Sequence, residues 1–221
     1  MRWTGDVSAG DWIAERLGRR GTVGGTVPTG FEAYVRIFHP VEARLVDTVA
    51  SELRVETRSY SWAELAAAKG TVWHGGMQWG AVARKQFDDV HLADGWMVQP
   101  PSDGHLDLGQ LAVVSGLLAE NTTTPEAACV GIWNGYGELQ TRSGSVSIIF
   151  AGADDDPGAR AAAEESFRRM MREAVSPEVA SAGGRRALID AILADPALEA
   201  AEVGPDTDLT WQGDSLNPMP E

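Results

Sequence analysis

The chain has 221 residues, 43 % of them hydrophobic, and a formal charge of -14 at pH 7. That length and apolar content suffice for the core of one α+β domain, and the charge argues against nucleic-acid binding, which depends on Lys and Arg neutralising phosphates. Eight carboxylates and no Lys or Arg fall between Gln86 and Thr141, and Ala187–Glu221 also lacks basic residues; such a surface favours solubility and attracts basic partners.

Cys129 is the only cysteine, so no internal disulfide forms. Met1–Asp6 shows no apolar leader, and no run approaches 18 apolar residues. The expectation is a cytoplasmic protein without a membrane span.

In chain order, Ser8 can cap a short helix with Trp12, Ile13 and Leu17 on one face. The Gly/Thr-rich stretch after Arg19 lacks the Lys and the following helix of a phosphate loop. Phe31, Ala33, Val35 and Ile37 then alternate with Glu32, Tyr34, Arg36 and Phe38, the period of a strand with one face in the core. It is expected to be the first strand of a central sheet. Residues 40–60 carry no clear pattern. Ser61 and Glu64 fit a capping box opening a helix that stops at Gly70.

A brief strand and turn is expected over Thr71–Gly76, then a short helix from Met77 to Lys85, and a surface loop over Phe87–Gly109. Leu108, Leu111, Ala112, Ser115 and Leu118 lie at helical spacing. Cys129–Trp133 and Ser145–Ala151 read as short apolar strands that could pair beside the first one. The acidic run Asp154–Asp156 has the wrong spacing for calcium and reads as a solvated entry to a helix over Ala159–Ala174. Gly183–Gly184 precedes a helix over Arg185–Ala194 ended by Asp195–Pro196, and Leu198–Val203 reads as a strand near the sheet edge. The expected whole is a single α+β domain over residues 1–212, with a mainly antiparallel central sheet and flanking helices, and a mobile tail over 213–221.

Catalytic signals are sparse. His39, His74, His91 and His105 show no metal-ligand spacing, and no GxSxG motif occurs. Cys129 leads into an apolar strand, where a thiol is ordinarily buried and inert. No metal site and no cofactor are expected. Trp73, Trp79, Trp133 and Tyr136 lie in or beside Gly-rich turns, where aromatic rings can anchor a partner or simply complete the core. With His74 they form the candidate binding set. Three functions remain open: a protein- or ligand-binding module, immunity-type included, that takes a basic protein partner; a small-molecule hydrolase or transferase with a pocket around His74; and a housekeeping or assembly protein with no small-molecule site. The oligomeric state is left open.

Three segments carry a resemblance: Val27-Pro-Thr-Gly-Phe-Glu-Ala-Tyr-Val-Arg-Ile-Phe-His-Pro40; Thr122-Thr-Thr-Pro-Glu126 with Trp133-Asn-Gly-Tyr-Gly137; and Gly183-Gly-Arg-Arg-Ala-Leu-Ile-Asp-Ala-Ile-Leu-Ala-Asp-Pro-Ala-Leu-Glu199. Together they are similar to a family of actinobacterial proteins with no assigned activity. The chain departs from that pattern at Asn134, where an acidic residue is usual, and in lacking a longer aromatic segment ahead of Gly183. Leu17-Gly18 with Val27–Val35 also resembles the opening of SUKH-type immunity proteins, which are α+β binders of toxins.

Overall fold

The computed structural model describes residues 8–49, 52–83, 89–101, 108–123 and 179–217. The expected strands over Cys129–Trp133 and Ser145–Ala151, the acidic run, the helix over Ala159–Ala174, Cys129 and His105 lie outside the described residues.

Helices and antiparallel strands give the α+β class, with the described strands divided between two sheets. Among the described residues, strand β1 (Ala33–Phe38) is the middle strand of the first sheet, between β6 (Val179–Gly184) and β7 (Glu199–Val203). All six residues of β1 are buried, so the alternation marks two covered faces in place of one. Ala33, Val35 and Ile37 pack with Val114, Leu188, Ile189, Ile192 and Leu198. Phe38, from the other face, joins Val41, Tyr60, Trp62, Leu65, Met77, Trp79, Val90 and Val98. Each large apolar side chain so buried contributes about 2 kcal/mol.

The second sheet runs β3-β2-β5-β4, antiparallel throughout. Strands β2 (Val41–Val49) and β3 (Glu52–Tyr60) pair in full register from Val41↔Tyr60 to Val49↔Glu52. The two-residue strands β4 (Val90–His91) and β5 (Met97–Val98) lie within the stretch expected to be a loop. They bury Val90 and Val98, and β5 meets β2 only at Ala43 and Arg44.

Five α-helices are described. Helix α1 (Asp11–Ala14) is a single exposed turn, and its Trp12 packs edge-on to Phe31. Helix α2 (Trp62–Lys69) has the expected capping box at Ser61 and Glu64, and Gly70 closes it in the left-handed region at φ 66°. Helix α3 is Trp79–Ala83. Helix α4 (Leu108–Glu120) forms where expected but buries Gln110 and Val114, with Val113 and Leu117 half-buried, while Ala112, Ser115 and Leu118 face solvent. Gln110 turns the helix: its amide donates to Phe38 O at 3.1 Å, and its Oε1 meets His39 Nδ1 at 3.2 Å. Helix α5 (Arg186–Ala194) buries Leu188, Ile189 and Ile192 against β1.

The Gly/Thr-rich loop spends its own donors. The amides of Val23 and Gly24 bond to Thr207 O and Pro205 O, and those of Thr22, Gly25, Thr26 and Val27 bond to carbonyls within the loop. No row of free N–H groups remains from Thr22 to Val27 to cradle a phosphate. No helix among the described residues is long and apolar enough to cross a membrane.

Candidate functional site

His74 sits in an irregular segment, Thr71–Gln78, between α2 and α3. Three parts of the chain hold that segment in place. From beneath, the buried Arg36 of β1 donates through Nη1 to Gly75 O at 3.1 Å and to Met77 O at 2.7 Å, with its guanidinium 4.7 Å from the Phe38 ring centre. At the side, Gly75 lies flat on β7: a Cβ there would come within 2.7 Å of Val203 Cγ1 and 3.0 Å of Glu202 O. From above, Asp214 and Asn217 bind it through side chains.

Those two residues belong to the stretch expected to begin a mobile tail. Gly213–Asn217 is instead packed in place, because both side chains are buried and bonded to the Thr71–Gln78 segment. Asn217 presents its amide edge to Val72, accepting from Val72 N at 2.7 Å and donating to Val72 O at 2.8 Å, as a neighbouring strand would. Asp214, its side chain 3 % exposed, accepts at Oδ1 from Leu216 N, Asn217 N and His74 Nε2, the last at 2.9 Å. Its Oδ2 accepts from Gln78 N at 3.3 Å and Asn217 Nδ2 at 3.2 Å.

This geometry settles the roles of the His74 nitrogens. Gly76 N–H, 3.1 Å from Nδ1, can only donate. Nδ1 is therefore the acceptor, and a neutral ring carries its proton on Nε2, directed at Asp214. A carboxylate orients the imidazole, as in an acid–base pair, but neither nitrogen is left to take a proton from a substrate. The ring works as a fastener between loop and C-terminal segment.

The aromatic members of the candidate set separate. Trp79 is 7 % exposed, and its ring lies 5.8 Å from Trp62. Trp73 is half-buried, its ring 5.8 Å from Phe38. Phe38, Trp62, Trp73 and Trp79 thus form one aromatic cluster in the core, which brings Trp73 and Trp79 together while His74 turns away to Asp214. Trp133 and Tyr136 lie outside the described residues. Among the described residues, no three His, Cys, Asp or Glu side chains gather in a way that could hold a metal ion.

A second polar knot lies at the start of α2. Glu199 of β7 accepts from Trp62 N and Ala63 N, each at 2.7 Å, completing the cap begun by Ser61. Burial pushes the Glu199 carboxyl above its ordinary 4.5, against the pull of the two amides. The Trp73 indole N–H also favours the charged form without closing a full hydrogen bond. Glu64, mostly exposed, shifts the other way, held below 4.5 by the Ser61 N–H and then by its hydroxyl.

These two carboxyls should give opposite pH trends. The folded chain keeps a proton on Glu199 to higher pH than the unfolded chain does. Its contribution is therefore full below pH 4.5 and is lost as pH rises through the folded value. For Glu64 the contribution is present above 4.5 and lost as pH falls through the lowered value. Urea unfolding is expected to show the stability of wild type minus that of Glu199→Gln falling as pH rises above 4.5. For Glu64→Gln the same signed difference is expected to rise with pH. A wild-type advantage over Glu199→Gln that grows with pH would contradict this assignment.

The outer part of the β2–β3 hairpin is exposed. Residues 53–59 of β3 are all exposed, and beyond Arg44 no third strand among the described residues accompanies β2. On one face of this outer ribbon stand Val46, Leu53 and Val55, which are 53 %, 69 % and 52 % exposed. Val46 is directly opposite Val55, and Leu53 follows two residues along the same face. The other face carries Asp47, Arg54, Glu56 and Arg58; Arg58 stacks on Tyr60 and Trp96 at 4.0 and 4.4 Å.

Asp214, Asn217, Arg36 and Glu199 were not among the sequence candidates. Asp214 and Asn217 did leave a local trace, since an Asp after Gly with Asn three residues on is the pattern of an Asx turn. The chain matches no protein-family model, no curated protein and no solved structure.

Proposed function

We propose that this chain acts by binding another protein, with the outer half of the β2–β3 hairpin as its recognition element. The observation that carries this reading is the exposure of Val46, Leu53 and Val55 together on one face of a projecting ribbon. Contiguous apolar side chains on an otherwise charged surface are a recurrent mark of interaction sites. The formal charge of -14 favours a basic partner and disfavours nucleic acid. The resemblance to toxin-binding immunity proteins points in the same direction. The hydrolase or transferase reading loses its base, because His74 has both nitrogens committed.

The test is affinity capture with the wild-type chain and with a triple variant, Val46→Thr, Leu53→Gln and Val55→Thr, which keeps two β-branched side chains while removing the apolar face. The wild type is expected to retain a basic protein that elutes with salt, and the variant to lose it with an unchanged melting temperature. Equal capture by both would remove the hairpin from the interface. His74-dependent turnover of a small ester would overturn the binding reading itself.

A further inference from the structure

The outer edge of the same hairpin, unpaired among the described residues, has a self-complementary pattern. Gln99 N donates to Glu42 O, which directs the backbone groups of Glu42, Arg44 and Val46 toward β5 and those of the alternate residues of β2 toward β3. Through the pairing register, Arg54, Glu56 and Arg58 of β3 turn their backbone N–H and C=O toward β2. Leu53, Val55, Thr57 and Ser59 therefore direct theirs outward. β3 is an edge strand among the described residues, nine residues long, and it contains neither Pro nor Lys. It lacks the prolines and lysines that keep many open edges from pairing, and its charged residues alternate in sign.

We propose that β3 pairs antiparallel with β3 of a second copy of this chain, centred on Val55, joining the two four-stranded sheets into one across a two-fold axis. In this register Val55 faces Val55 of the other copy, and Leu53 faces Thr57. Arg54 faces Glu56 on each side of the axis, so two cross-strand ion pairs form. Centring the pair on Arg54 or on Glu56 instead sets that residue opposite its own like charge. Centring on Thr57 still sets Glu56 opposite Arg58, but it puts Arg54 opposite Tyr60 and leaves Leu53 past the end of the partner strand. Centring on Leu53 sets Glu52 opposite Arg54 but pairs only the first three residues of β3. The Val55 register pairs opposite charges over the greatest length of strand and is favoured on that ground. A closed two-fold contact of this kind is the commonest oligomeric arrangement.

The second copy also supplies what the ribbon lacks. Two-stranded ribbons are marginal in water, and the outer half of this hairpin has no third strand among the described residues. Pairing places two further strands beside it and sets Val46, Leu53 and Val55 of both copies in a continuous strip. This inference rests on the same exposed hairpin as the binding reading, but it engages the edge of β3 and leaves the apolar face of Val46, Leu53 and Val55 to the basic partner.

The experiment is sedimentation equilibrium on two single charge reversals, alone and mixed. Arg54→Glu leaves acids at both 54 and 56, and Glu56→Arg leaves arginines at both. Wild type is expected to show a concentration-dependent monomer–dimer equilibrium. Each reversal alone is expected to weaken it by roughly tenfold or more, since two attractive pairs become repulsive. An equimolar mixture is expected to form a heterodimer, because each acidic edge meets a basic one; that recovery also excludes misfolding of the variants. A monomeric wild type at every soluble concentration, a dimer indifferent to both reversals, or no recovery on mixing would overturn the pairing. If the wild type is monomeric and the Val46/Leu53/Val55 variant still loses a captured protein, only the self-pairing falls. If the charge-swap dimer forms and nothing else is captured through the hairpin, only the wider binding reading falls.

Discussion

Trp62→Ala is expected to cost about 3–5 kcal/mol, the range for emptying an aromatic core position. The side chain is fully buried at the centre of the aromatic cluster, with Phe38 at 5.2 Å and Trp79 at 5.8 Å between ring centres. Its indole N–H donates to His39 O at 2.9 Å, so truncation opens a cavity and also leaves a buried carbonyl without its donor. Trp62→Phe separates the two contributions. It restores most of the ring volume and loses the hydrogen bond, for which about 1–2 kcal/mol is expected. Urea unfolding of both variants checks the division; a Phe variant as damaged as the Ala one would shift the weight from packing to the bond.

The second large effect is at Asp214. Its carboxylate receives five donors: His74 Nε2, the amides of Leu216, Asn217 and Gln78, and Asn217 Nδ2. Asp214→Ala strands several of them at a buried position, and a loss of about 3 kcal/mol is expected. Asp214→Asn keeps the shape but turns an NH₂ group toward donors, so a cost between that of wild type and Ala is expected. The distinguishing readout is local. Limited proteolysis should cut the Ala variant within residues 213–217 well before the body of the chain, whereas wild type should resist there. Equal resistance in both would mean that Asn217 holds the segment without help.

What was legible in the sequence was local. Ser61, Glu64 and Gly70 fix both ends of α2 through contacts within its own turns. Helix α5 combines helical spacing of Leu188, Ile189 and Ile192 with the stop at Asp195–Pro196. β7 and β1 were readable from their apolar content. The hairpin was not, because Ala50–Ser51 offers none of the Gly, Asn or Asp chemistry that marks a tight turn. β6, Val-Ala-Ser-Ala-Gly-Gly, was also hidden. Its glycines make room for their neighbours: a Cβ at Gly183 would stand 2.6 Å from Phe31 and 3.0 Å from Tyr34. In α4 the apolar residues fall on every side of the helix, so periodicity could not say which side Gln110 would select.

The candidate site was less legible for a different reason. His74 could be singled out, but its meaning depends on Asp214, 140 residues away. The bonds from Trp62 to Glu199 and from Arg36 to Gly75 span 137 and 39 residues. Separations of that size are set by topology alone, and no spacing rule on a single chain reports them.

Strand β1 serves as a shared wall, its Val35 and Ile37 closing one compartment and its Phe38 the other. Neither compartment can melt while the other stays shut, since losing either lining frees the same six residues. Heat should therefore dissolve both in one cooperative step, and the amides of β1 should be among the last to exchange with solvent. Damage introduced under α5 would be felt at the aromatic cluster, with the wall itself as the messenger.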